Sequence, residues 1–263
     1  MALACAPANN ASHEPRAEKL PAYVPDEKDV GSLMDCDSSG LDWVFDRKSI
    51  PEMHMRVTDS EWQKLLEEYD KNSATPFQIH ADLRFVRDGE EICVADGGLR
   101  LKGGAWSRRR PQKSDGTLRH VHYQVNFGKF HKDDEHSVHG CRRICFKYFK
   151  GDPSYAREIL AYDLLGDAKV WTASFNTYCR MYLKIGSAPE QYLGIYDAIE
   201  HVDRQYLKAR KELFAQSDGN LWKADLGAKL NNPDDDFGVD TGDGEWHLYE
   251  LKTNVGEFDA AAA

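Results

Sequence analysis

The amino-acid sequence predicts an α+β protein, and three observations lead there. At least five apolar runs alternate with polar residues at the period of a strand. Turn signals at Asp88-Gly89 and across Gly186 to Pro189 join neighbouring runs into hairpins. Three helical patterns are scattered among these runs without a regular strand–helix–strand alternation. A chain of 263 residues is long enough to bury a full core in one or two domains.

Taken in order, residues 1–45 hold Pro7, Pro15, Pro21 and Pro25 among small and polar residues without periodicity, which predicts a loose arm. The opening Met1 to Cys5 is like the end of a lipoprotein leader, but the basic and apolar regions of such a leader are missing; either the start lies too far downstream or, the reading preferred, the likeness is accidental. Glu52 to Val57 reads as a strand. A helix opened by Thr58 or Asp59 follows, with Trp62, Leu65, Leu66 and Tyr69 on one stripe. Phe77 to Val86 and Glu91 to Val94 form a hairpin. Leu99 and Leu101 then alternate with Arg100 and Lys102, placing both cations on one face of a strand. Tyr123, Val125 and Phe127 alternate, as do Ile144, Phe146 and Tyr148.

The next segment predicts the central helix. Asp152 is an N-cap, Pro153 sits where a missing N–H costs nothing, and Gly166 supplies the stop. Between them lie about 12 residues, roughly 18 Å of helix. Tyr155, Ile159, Leu160, Tyr162, Leu164 and Leu165 cover nearly the whole circumference, which predicts burial, with Arg157 and Glu158 as charges that need partners. A second hairpin spans Cys179 to Ile185 and Gln191 to Ile199. A helix over 202–214 and a last strand from Trp246 to Leu251 complete the pattern.

Composition narrows the function. A formal charge of -10 argues against non-specific nucleic-acid binding, and no apolar run reaches the length of about 18 residues that a membrane helix needs. The six cysteines show no C-x-x-C, and free buried thiols are the expected state of those within strands. Arg100, Lys102, Gly103, Gly104 and the run from Arg108 to Arg110 combine cations with glycines, the residue types that grip a phosphate; the alternative is a solvated basic loop. His120, His122, His131, His136 and His139 lie near Cys141 and Cys145. They invite a metal-binding reading, although their spacing fits no standard zinc pattern and exposed loop histidines are expected. The acidic stretch with Asp234, Asp236, Asp240 and Asp243 lacks the spacing of a calcium loop. Asp236-Phe237-Gly238 spells the kinase metal tripeptide without a kinase catalytic loop upstream, so it is rejected. No nucleophile elbow, Walker loop or H-E-x-x-H occurs.

Several segments together resemble the CotH family, the spore-coat-type atypical protein kinases. They are Gly98 to Gly103, Ser107-Arg108, Tyr123 to Phe127, Asp152 to Leu165, Tyr192 to Tyr196 with Glu200 to Asp203, Gly219 to Lys223 and Leu251 to Asn254. The resemblance runs over about residues 50–255, with 46–258 expected as the family region and 259–263 as a tail. It implies a kinase-like fold in which a small-lobe sheet with a packed helix leads into the start of the large lobe. It also implies ATP with Mg²⁺, Ser or Thr of a protein substrate, and a place at the cell surface or spore coat. In kinases a cation on the small-lobe sheet holds the nucleotide phosphates and a helix carboxylate orients it. On that logic Lys102 or Arg100 is the cation, Glu158 the carboxylate and Arg108 a cover for the phosphates; Trp222 is either a platform for a base or a buried core anchor. Gln124 and Asn126 stand where the family often has lysines. The family's catalytic and metal-binding aspartates, in an Asp before Asn-Tyr and in Pro-Trp-Asp-x-Asp, are not found up to Ala263, so the expected chain is catalytically incomplete. Asp203 is read as a helix N-cap. The alternative to a kinase is a surface protein of the same fold that binds a partner.

Overall fold

Strand alternation in the middle of the chain closes a seven-stranded barrel. The computed structural model describes residues 2–3, 39–74, 76–104, 107–131, 136–170, 172–210, 218–225, 227–229, 236–239 and 247–257. In chain order the first elements are β1 (Ala2–Leu3), α1 (Ser39–Phe45), β2 (Glu52–Val57), α2 (Asp59–Lys71), β3 (Ile79–Arg87) and β4 (Glu90–Leu101). Then come β5 (Tyr123–Asn126), β6 (Arg143–Lys147), α3 (Arg157–Asp167), β7 (Asn176–Ile185) and β8 (Gln191–Glu200). The last are α4 (Arg204–Ala209), β9 (Trp222–Ala224), β10 (Phe237–Gly238) and β11 (Tyr249–Leu251). They fall into two units, one of Ser39–His201 and one of Met1–Ser38 with Val202–Ala263.

In the 39–201 unit the barrel order is β2-β3-β4-β5-β6-β8-β7. A parallel pairing of β2 with β7, from Glu52 opposite Arg180 to Val57 opposite Ile185, closes it. Alternation sends one phase of each strand inward, so Phe85, Leu99, Val125, Ile144, Phe146 and Met181 have 0% exposure. Each such side chain contributes about 1.5–3 kcal/mol by leaving water. Asp88 (φ 51°) and Gly89 (φ 85°) make the left-handed turn that the Asp-Gly signal predicts. The two strands expected at Glu91 to Val94 and around Leu99 are one strand, β4. It stays continuous because Asp96 (φ 56°) and a register shift between Ala81 and Leu83 absorb the irregularity as a bulge.

The helices differ more from expectation. The arm predicted over 1–45 ends early: α1 buries Leu41, Val44 and Phe45. Helix α2 starts at its Thr58 cap, whose hydroxyl accepts from the Glu61 amide at 3.1 Å, and it buries Trp62, Leu65 and Leu66 as the stripe predicts. Helix α3 corrects the prediction of a buried central helix. It begins at Arg157, four residues later than Pro153 would allow, because Tyr155 turns left-handed (φ 57°) after the Asp152 turn. Only Ile159 is buried, whereas Leu160 is 54% and Leu164 58% exposed. Gly166 lies inside the helix, and the left-handed residue beyond its end is Lys169.

In the other unit β1, β9, β11 and β10 make a small sheet, and Val202, Tyr206, Leu207 and Leu221 pack together. Asp203 caps α4 as expected, accepting from the amides of Gln205 at 2.8 Å and Tyr206. The predicted extension of this helix to Leu213 and Phe214 and the strand start at Trp246 lie outside the described residues, as do most of the arm and the tail. Among the described residues no helix is long and apolar enough to cross a membrane. Cys141, Cys145 and Cys179 are buried and Cys93 is exposed.

Candidate functional site

Strand β6 and helix α3 bring the decisive pair together. With Ile144 and Phe146 pointing into the barrel, Lys147 falls on the outer phase at the strand's end. The chain then turns through Asp152, whose carboxylate accepts from the amides of Ser154 (3.1 Å), Ala156 (3.1 Å) and Arg157 (2.9 Å). The Ser154 hydroxyl and these amides hold the Asp152 carboxyl below its usual range. Asp152 thus caps the helix from outside it, although Ala156 occupies the formal cap position. This cap places Glu158 in the first turn of α3, where the helix dipole favours an anion, and there it forms an ion pair with Lys147. Both side chains are about one-third exposed, at 32% each. The partner expected for Glu158 was Lys102 or Arg100. The structure pairs it with Lys147, because strand alternation brings the end of β6, not β4, under α3. Arg157 points away with 75% of its side chain exposed, and its charge faces Asp152.

Cations converge beside this pair. Burial pushes the His122 imidazole down to about 4, and Lys147, Lys102, Lys150 and Arg109 each lower it further. His122 is therefore neutral at physiological pH and ringed by four positive charges. Its ring stacks on Tyr148 at 4.5 Å between centroids, and the Arg109 guanidinium lies 5.7 Å from the same tyrosine ring. The His122 Nδ1 is buried without a hydrogen-bond partner. Lys102 belongs to this group, its amide held by the His122 carbonyl at 2.8 Å.

Arg100 and Arg108 do other things. Arg100 donates to the Gln124 amide oxygen, and the Gln124 amide nitrogen meets His201 Nδ1 at 3.1 Å and Cys145 Sγ at 3.5 Å. This polar ladder crosses β4, β5 and β6 on their outer face and explains why Gln124 is buried. Burial first, and the charges of Arg108 and Arg143 after it, push the Arg100 guanidinium down. Arg108 donates to the carbonyls of Gly103 (2.7 Å) and Ser73 (3.0 Å), tying the glycine turn to the end of α2. A small pocket beside it, with room for about one water (about 10 Å³), is lined by Leu65, Tyr69, Phe77 and Leu101 and falls far short of nucleotide size.

A further acid sits behind the pair. Asp197 on β8 is opposite Lys147 on β6 and is fully buried. One carboxylate oxygen accepts from the Asn176 amide at 3.1 Å, and the other has no partner. Burial, then the nearby Glu158 charge, pushes its carboxyl up to about 7.

The remaining predicted features separate. Trp222 lies in the 202–263 unit, where its ring meets Phe237 edge-on at 5.2 Å and Phe237 stacks on Tyr249 at 4.5 Å, a structural aromatic cluster. The histidines fall into separate groups: His131 stacks on His136 at 3.8 Å and faces Asp96 (3.1 Å), His139 faces Glu90 (3.0 Å), and His120 and His122 face Tyr148. Among the described residues no group of three or more His, Cys, Asp or Glu side chains is placed to hold a metal ion. Asp236 pairs with His247 at 2.8 Å, while Asp234, Asp240 and Asp243 lie outside the described residues.

Sequence reasoning passed over Lys147 and Asp197, although the signal was present. Each is a charge in the outer phase of a run whose other phase, Ile144 and Phe146 or Tyr196 and Ala198, is apolar. With this geometry in place, the comparisons with known proteins are informative. The family model described as CotH kinase protein matches residues 99–257, more than half of the chain. No curated protein and no solved structure gives a significant match.

Proposed function

The chain belongs to the CotH kinase family, and from that premise we propose that the 39–201 unit binds ATP for phosphorylation of Ser or Thr in a protein substrate. The observation that carries the reading is the Lys147–Glu158 pair, a strand cation held by a carboxylate from the adjoining helix. That is the arrangement by which kinases orient a lysine toward nucleotide phosphates. Lys102, Lys150 and Arg109 add positive charge around the half-buried neutral His122, which suits a polyphosphate. Lys147 takes the role assigned from the sequence to Lys102 or Arg100, and Lys102 becomes a supporting cation. Arg100 organises the strand ladder and Arg108 closes the glycine turn. The kinase-like two-lobed arrangement is part of the same proposal. Family kinases use Mg²⁺ to neutralise phosphate charge.

The test is thermal unfolding of the whole chain with and without ATP. ATP at about 100 times its dissociation constant stabilises a binding protein by about 2.7 kcal/mol. The wild-type chain is expected to shift, Lys147→Ala to lose the shift, and Lys102→Ala to weaken it. A folded wild-type chain without any shift overturns the reading and favours a partner-binding surface protein. A Lys147→Ala variant that shifts as the parent does overturns the assignment of Lys147.

A further inference from the structure

The nucleotide reading leaves Asp197 unused, yet its position is not neutral. Residues directly opposite on antiparallel strands have Cβ atoms about 4.5–5.5 Å apart, and Asp197 is opposite Lys147 on the same outer face. Its side chain is fixed: Asn176 donates to one oxygen, and Asn176 is itself held by Arg47, which also pairs with Asp163 on α3. The second oxygen is buried and unpartnered. The groups that face it are Lys147 from β6, Glu158 and Tyr162 from α3, Asn176 from β7 and Arg47 from the segment after α1. Lys147 therefore stands between a one-third-exposed carboxylate on the helix and a buried one on the neighbouring strand.

We propose that Asp197 is a positioning residue for Lys147, competing with Glu158 for the ammonium, so that its charge sets how firmly the pair grips the nucleotide's phosphates. This rests on the nucleotide reading of Lys147. With Asp197 protonated, Lys147 and Glu158 cancel and the ammonium faces outward. With Asp197 ionised, the three groups sum to one negative charge, the ammonium is drawn inward, and the phosphates are repelled. Burial and the Glu158 charge put this change near neutral pH, where the carboxyl titrates at about 7. Ionised Asp197 and bound ATP oppose each other, so ATP must in turn favour the protonated form.

ATP affinity measured on the whole chain and on Asp197→Asn between about pH 6 and 8.5 tests this. The ionisation of ATP itself acts on both proteins alike. Wild-type affinity is expected to fall roughly tenfold further than that of Asp197→Asn over this range. At the alkaline end the variant binds roughly tenfold more tightly. Parallel pH profiles in two ATP-binding proteins overturn the inference and leave the nucleotide reading standing. No ATP binding by the folded wild-type chain at any pH overturns both. Should Asp197→Asn fail to fold, the ¹³C carboxyl resonance of Asp197 in the wild-type chain decides. ATP must raise its titration midpoint, and an unmoved midpoint overturns the inference.

Discussion

Helices α2 and α3 belong to the same barrel unit but are held by different forces. Helix α2 buries Trp62, Leu65 and Leu66 and begins at a hydroxyl cap, so its attachment is mostly hydrophobic. Helix α3 buries only Ile159 and leaves Leu160 and Leu164 exposed. Its attachment is polar: the Asp152 carboxylate at its start, Glu158 on Lys147, and Asp163 on Arg47. Apolar burial fixes a helix over a wide range of pH and salt, whereas ion pairs hold it only while their charges persist. A helix that must carry a carboxylate to a ligand-binding lysine is of the second kind, and the first kind serves as scaffold.

The largest effect that sharpens this contrast is Trp62→Ala, expected to cost about 3–5 kcal/mol in chemical denaturation. Glu158→Gln should instead lower ATP affinity roughly 10- to 100-fold while moving the unfolding midpoint little, since a charged hydrogen bond is lost at a half-exposed site. The two variants exchanging these phenotypes would break the comparison. Next comes pH. The Asp197 carboxyl titrates at about 7 in the folded chain against an ordinary 3.8, so its contribution to stability is complete below about 3.8 and is lost as pH rises through about 7. Asp197→Asn should remove that decline, worth on the order of a few kcal/mol, from the curve of stability against pH. Asp152 has the opposite sign, because its lowered pKa gives stability that is lost as pH falls. Asp152→Ala should therefore reduce hydrogen-exchange protection in α3 and spare α2. The smallest effect is that of salt: raising it from about 0.1 to 1 M should weaken α3 protection and leave α2 unchanged.

The barrel strands and α2 were legible in the sequence because a period of two or 3.6 residues records directly which side of an element faces a core. Asp203 and the Asp88-Gly89 turn were legible for a similar reason, since each acts within a few residues of itself. Helix α3 was not. Its apolar residues count the same whether or not a partner surface exists, and Leu160 and Leu164 have none among the described residues of their own unit. The local reading also missed that Asp152 caps across the left-handed Tyr155, which moves the helix start and turns its faces. Lys147 and Asp197 were hidden because a charge in the outer phase of a strand ordinarily meets water. Only the neighbour order β6-β8-β7, invisible in the local pattern, puts them beneath a helix carboxylate.

The parallel pairing of β2 with β7 has a kinetic consequence. It joins the first strand of the barrel to one near its end, so this seam is expected to form after the hairpins between them. Loop closure of that span brings no local reward until it is complete, which makes the seam the slow, late step of folding. Before it forms, both seam strands offer open edges to other chains, and refolding yield should fall as protein concentration rises.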